Sequence, residues 1–220
     1  MSTKLTVVNR ERIMSKIKKE IIERVRQTEV RADEGGSIIS GRPIVFNSPT
    51  DIGGWFEETI EPGALNEADL SDVRFCKNHD TSNVFARSKN GKGTMTLTPD
   101  DEGLGMEADV DTAGNPLAAT LYSEVSRGDI DGMSFMFTVD DERWEDLDTD
   151  YPKRFITKIG TVLEVSAVTF PAYPTTTISA RAEEALENAR SEAEAARALD
   201  KAEADRLLEL EKEKVKLISI

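Results

Sequence analysis

Alternation of apolar and polar positions dominates the middle of this chain. Segments 37–46, 73–76, 84–87, 93–97, 104–110, 133–139, 154–159 and 162–170 read as strands. Turn residues bound most of them: Gly35-Gly36, Asn47-Ser48-Pro49, Asn90-Gly91, Pro99-Asp100, Gly103, Gly160 and Pro171. One helix interrupts the series. Asn115 is its cap, Pro116 its first turn and Arg127-Gly128 its stop, with Leu117, Leu121 and Val125 four apart on one face. A second short helix is expected near 65–70. Many strands with few helices predict an α+β fold, mainly β, built as a barrel or sandwich with peripheral helices.

The two ends have a different period. Met14, Ile17, Ile21 and Val25 follow helical spacing in a basic segment. This predicts an amphipathic helix that packs on the domain behind it or docks an acidic partner. From about Arg181 the chain is almost all Ala, Glu, Arg, Lys, Asp and Leu, without Gly or Pro. Helix propensity is near its maximum there. Leu186, Ala189, Ala193 and Ala196 start a 3-4-3 spacing that breaks before Leu207 and Leu210, so a solvated helical tail fits better than a coiled coil. The expected division is a basic helical extension at 1–29, a core domain at 30–178 and a charged tail at 179–220.

Charge and composition narrow the function. The chain has 28 Lys and Arg against 42 Asp and Glu, a net charge of −14. Residues 1–32 are basic and the tail is mildly acidic, so most of the negative charge falls on the core. Such a core repels nucleic acid, whose affinity comes largely from phosphate neutralisation. The single cysteine, Cys76, excludes an intramolecular disulfide and a multi-cysteine zinc site. The single histidine, His79, excludes a His-rich metal site, and no cofactor is implied. No apolar run is long enough to span a membrane. The first twelve residues carry early charges and no apolar stretch, unlike a secretory signal.

Chemistry then centres on three residues. His79 follows the strand 73–76 and is the one side chain suited to general-base work near neutral pH, although a lone histidine at a strand end is often incidental. Ser134 lies in Gly132-Met133-Ser134-Phe135-Met136-Phe137, where alternation sets it opposite Met133, Phe135 and Phe137. A serine there is either a nucleophile or a small space filler. The second glycine of a Gly-x-Ser-x-Gly elbow is missing, since Met136 stands there. Glu164 sits in the apolar strand Leu163-Glu164-Val165-Ser166-Ala167-Val168, where a carboxylate needs a partner unless it points outward. Together they make a serine-catalysis set: Ser134 attacks, His79 takes its proton, and a carboxylate holds the imidazole.

These residues fall within a longer pattern. Trp55-Phe56-Glu57-Glu58-Thr59-Ile60-Glu61-Pro62-Gly63-Ala64, Asn78-His79-Asp80, the stretch 93–104, Arg127-Gly128-Asp129-Ile130-Asp131-Gly132-Met133-Ser134-Phe135 and the stretch 163–174 occur in order. In them the chain resembles the caudovirus prohead proteases over about residues 30–178. The resemblance implies an assemblin-like fold, a seven-stranded β-barrel surrounded by helices, as in the herpesvirus relatives. It implies His79 as general base and Ser134 as nucleophile. Assemblin relatives use a second histidine as the third member, and this chain has none. Glu164 matches the acidic position of phage members, and Asp131 is the alternative. Oxyanion donors are expected by analogy around residues 171–173.

The same resemblance implies a serine endopeptidase inside the procapsid, assembled in the bacterial cytoplasm. Its partners are scaffolding protein or the scaffolding extension of the major capsid protein, and the protease itself through autoproteolysis. A homodimer or higher oligomer follows by analogy with assemblin relatives. No nucleic acid or membrane is expected. A catalytically inactive, scaffold-like assembly protein is the alternative, and an unrelated soluble esterase with a Ser-His-acid set is a third reading.

Overall fold

The computed structural model describes residues 21–26, 30–170 and 176–218. They divide into two compact units. The first contains most of the sheet structure. Its strands are β1 (Ile21–Arg26), β2 (Val30–Ala32), β3 (Ile38–Val45), β6 (Asp72–Lys77), β7 (Ala86–Lys89), β8 (Lys92–Gly93), β9 (Met95–Asp100) and β10 (Gly103–Asp109). It also holds the greater part of β5 (Phe56–Ile60), β11 (Gly132–Glu145) and β12 (Lys153–Val168), and helix α1 (Pro116–Ser126). The short strand β4 (Thr50–Ile52) pairs with β5.

The strands form two sheets. One runs β1-β11-β12-β6-β7-β8, with β5 also on the long strand β12, and the other runs β2-β3-β10-β9. The chain is therefore α+β and mainly β. Among the described residues the pairing closes no barrel, so the seven-stranded barrel implied by the resemblance is not recorded. Twelve described strands are instead shared between two sheets that contribute to one core. Ile39, Ile44, Leu104 and Met106 come from the smaller sheet; Val73, Phe75, Phe135, Phe137, Val165 and Ala167 come from the larger. The rings of Phe135 and Phe137 are fully buried, 4.8 Å apart between centroids. Each such side chain contributes about 2–3 kcal/mol on leaving water.

Local chemistry accounts for the departures from the sequence reading. Ile21 and Val25 lie in β1, not in a helix; Met14 and Ile17 lie outside the described residues. Strand β1 pairs antiparallel with β11 from Ile21↔Thr138 to Arg26↔Met133, which satisfies backbone groups that β11 would otherwise expose on that side. Residues 65–70 form no helix: 65–67 are turn, and Asp69 makes an isolated bridge to Thr161. Gly160 does not end a strand. A Cβ there would lie 2.7 Å from the Thr138 hydroxyl and 2.2 Å from an Asp140 oxygen, so glycine lets β12 pass close to β11 side chains and continue. Strand β3 bulges against β10 between Ile44 and Gly41, where Pro43 has no N–H to leave unpaired.

Helix α1 starts as expected, with the Asn115 side chain accepting from Leu117 N at 3.0 Å and Pro116 in the first turn. Its buried face is Ala118, Leu121 and Val125, whereas Leu117 is exposed. The second unit centres on Ile52, Phe56, Ala182 and Leu186, with Trp55, Trp144 and Leu147 packed around them. Phe56 and Trp144 meet edge to face at 4.9 Å. Helix α2 (Thr176–Ile218) supplies Ala182 and Leu186, and Arg190 donates to the carbonyls of Leu147 and Thr149. The turns that carry Ala182 and Leu186 are thus part of a core; further along, Leu199, Leu207, Leu208 and Leu210 are exposed. Among the described residues no helix is long and apolar enough to cross a membrane.

Candidate active site

The site is built on three adjacent strands of the first unit. On β11, Met133, Phe135 and Phe137 enter the core, so Ser134 alternates to the opposite face. On its neighbour β12, Val165 and Ala167 enter the same core, and Glu164 and Ser166 alternate onto the face that Ser134 occupies. Strand β6 lies parallel to β12, with Arg74 opposite Glu164 and Cys76 opposite Ser166. The chain leaving β6 therefore passes beside the end of β12.

There it turns sharply. Asn78 and His79 both take the left-handed conformation, with φ of 51° and 60°. This is uncommon for residues with a Cβ, though Asn and His tolerate it better than most. Main-chain and side-chain bonds hold the turn. Asn78 N donates to Ala167 O at 3.0 Å, and His79 N donates to Ser166 Oγ at 3.0 Å. Thr169 N donates to Asn78 Oδ1 at 2.9 Å, and Asn78 Nδ2 donates to Thr169 Oγ1 at 3.0 Å.

The turn brings His79 Nδ1 to 2.7 Å from Glu164 Oε2. Glu164 is 2% exposed, and its other oxygen accepts from Ser166 Oγ. An ionised carboxylate can only accept, so the proton of this contact belongs on Nδ1, and a neutral ring keeps its lone pair on Nε2. Nε2 is buried and has no hydrogen-bond partner among the described residues. Burial opposes the imidazolium most strongly. The hydrogen bond and charge of Glu164, with the charge of Glu23, outweigh it and raise the His79 pKa above its ordinary value.

Ser134 is fully buried, and its hydroxyl donates to the main-chain carbonyl of Arg24 at 2.9 Å. Arg24 belongs to β1, and its guanidinium is bound on both oxygens of the buried Glu58, at 2.7 Å from Oε2. Arg154 also donates to that oxygen at 3.1 Å and pairs with Glu142. Cys76 is an inert neighbour: burial, then the charges of Glu164 and Asp80, push its thiol up to about 12.

Of the residues singled out in the sequence, the fold joins His79 and Glu164 directly and sets Ser134 on the same sheet face. Asp131 is exposed just before β11, and the carboxylates acting on His79 are Glu164 and Glu23. Residues 171–173 lie outside the described residues. Sequence reasoning missed Ser166, Glu23 and the Arg24 carbonyl. The first shares Glu164's face at i+2, a readable signal; the other two depend on the pairing of β1 with β11.

A mainly-sheet protein with an imidazole–carboxylate pair and a serine on one sheet face has the parts of a serine peptidase. The family model for the caudovirus prohead serine protease matches residues 25–191, and the chain belongs to that family. It is a serine peptidase. Among solved structures it is similar to the bacteriophage T4 capsid assembly protease, gp21. The two are 13% identical with a TM-score of 0.41, over 70% of this chain and 99% of that one. Among curated protein sequences, none matches the chain.

Proposed function

We propose that this peptidase cleaves scaffolding protein, or the scaffolding extension of the major capsid protein, within the procapsid, and that it cleaves itself. The family match supports the setting. The observation that carries the mechanism is the hydrogen bond between His79 Nδ1 and Glu164, because it leaves Nε2 as the free base.

In this reading Ser134 is the nucleophile, His79 the general base and Glu164 the group that holds the imidazole. The Ser134 hydroxyl turns from the Arg24 carbonyl to Nε2 and gives up its proton as Oγ adds to the scissile carbonyl carbon. The imidazolium, stabilised by Glu164, then protonates the leaving amine as the C–N bond breaks. Water repeats the sequence on the acyl-enzyme and frees the serine. Glu164 is favoured over Asp131 as third member because Glu164 is the carboxylate on Nδ1. Division into a protease domain at 30–178 with helical extensions, and assembly into a homodimer or higher oligomer, belong to the same reading. Its extensions need one revision, since β1 lies within 1–29.

Co-expression with the capsid and scaffolding proteins of the same phage tests it. Wild-type protease shortens one of them, and Ser134→Ala and His79→Ala do not. Full-length partners in all three cultures would contradict the proposal.

A further inference from the structure

The carboxylate on His79 has a support of its own. Ser166 is fully buried on the strand that carries Glu164, two residues further along. Its hydroxyl makes two contacts. The proton goes to Glu164 Oε1, and the oxygen accepts from His79 N at 3.0 Å. Glu164 Oε2 meets the ring of the same histidine at Nδ1. A closed circuit results: His79 main chain, Ser166 hydroxyl, Glu164 carboxyl, His79 ring.

Each contact has a physical consequence. The donated proton engages Oε1, which limits rotation of the carboxyl and leaves Oε2 aimed at the imidazole. The accepted bond fixes the main chain of a residue held at φ 60°, and with it the origin of the imidazole side chain. One hydroxyl thus sets the relative position of both members of the pair. Alanine supplies neither contact. Threonine keeps the hydroxyl and is well accommodated on strands.

We infer that Ser166 is a positioning residue of the catalytic apparatus, which locks the Glu164 carboxyl to His79 and fixes the His79 tautomer with its proton on Nδ1. The inference rests on the reading of His79 and Glu164 as base and orienter. Ser166 itself touches no reacting atom.

The lone histidine makes the test direct, since histidine labelled with 15N gives one imidazole to observe. The full chain is compared as wild type, Ser166→Ala, Ser166→Thr and His79→Ala. Two quantities are read: the nitrogen shifts that report the His79 tautomer, and the rate at which a fluorophosphonate labels Ser134. Expected are one Nδ1–H tautomer in wild type, a tautomer mixture with labelling about 10- to 100-fold slower in Ser166→Ala, and recovery of both in Ser166→Thr. A Ser166→Ala protein with wild-type tautomer and labelling rate overturns the inference. So does a Ser166→Thr protein as impaired as the alanine variant, because the residue then acts through packing alone. Undiminished labelling in His79→Ala overturns the underlying reading and this inference with it.

Discussion

The hydroxyl of Ser134 donates to the main-chain carbonyl of Arg24, 2.9 Å away on the neighbouring strand. The nucleophile therefore rests on β1, while His79 stands with its carboxylate partner on the other side of β11 in the strand order. Releasing one neutral hydrogen bond costs about 1 kcal/mol, less than a tenfold population penalty. A rotation of that size is small beside the barrier of peptide hydrolysis, so the resting bond is compatible with an active enzyme.

Strand β1 is fastened from the other face by the Arg24–Glu58 pair. Both side chains are almost fully enclosed, and removing one charge of such a pair typically costs about 3–5 kcal/mol. Arg154 remains beside Glu58 in Arg24→Ala, which favours the lower end. Glu58→Ala leaves two buried guanidinium groups with one partner fewer, and is expected to be the worse variant. Urea unfolding checks this: both midpoints fall, that of Glu58→Ala further.

Glu164→Gln retains the size of the side chain and loses its charge. If Glu164 works like the buried aspartate of other serine proteases, turnover falls on the order of 10^4-fold. Asp131→Asn, altering an exposed residue, leaves the rate within about twofold. The comparison is made by following capsid-protein cleavage with time.

The pH profile has a defined sign. Burial lowers the His79 pKa, but the hydrogen bond and charge of Glu164 and the charge of Glu23 raise it on balance. Activity requires neutral Nε2, so it is lost as pH falls through the raised value, and the acid limb of kcat/KM lies above about 6.5. Glu23→Gln removes one raising charge and moves the limb to lower pH. The linked stability has the opposite dependence: the pair's contribution is full below about 6.5 and is lost as pH rises through the folded-state value.

Helix α2 divides by what it touches. Ala182, Leu186 and Arg190 meet the second unit's core and loop carbonyls, whereas the described side chains after Arg190 are mostly exposed. A chain ending at residue 195 keeps these contacts and the wild-type melting temperature within a few degrees. Leu186→Ala opens a space beside Phe56 and costs about 2–5 kcal/mol. Tryptophan fluorescence, from Trp55 and Trp144 in the same cluster, follows that loss.

Period-two alternation made the inner strands readable, and Asn115-Pro116 with Arg127-Gly128 marked helix α1, because each signal is local. Ile21 and Val25, four apart, fit helix and strand periods alike, and the choice of strand β1 depends on β11, more than a hundred residues away. Gly160 looked like a break because the side chains it makes room for, Thr138 and Asp140, come from another strand. The site followed the same division. His79, Ser134 and Glu164 were legible as chemistry suited to one another. That Glu164 rather than Asp131 meets the imidazole depends on parallel pairing of β6 with β12, which no local pattern encodes.

The most direct test of the account is fluorophosphonate labelling of the purified full chain, with the adduct located by peptide mass mapping. A single adduct on Ser134, lost in His79→Ala and strongly slowed in Glu164→Gln, is the predicted result. An adduct on a different residue, no adduct at all, or equal labelling of Ser134 without His79 would contradict it.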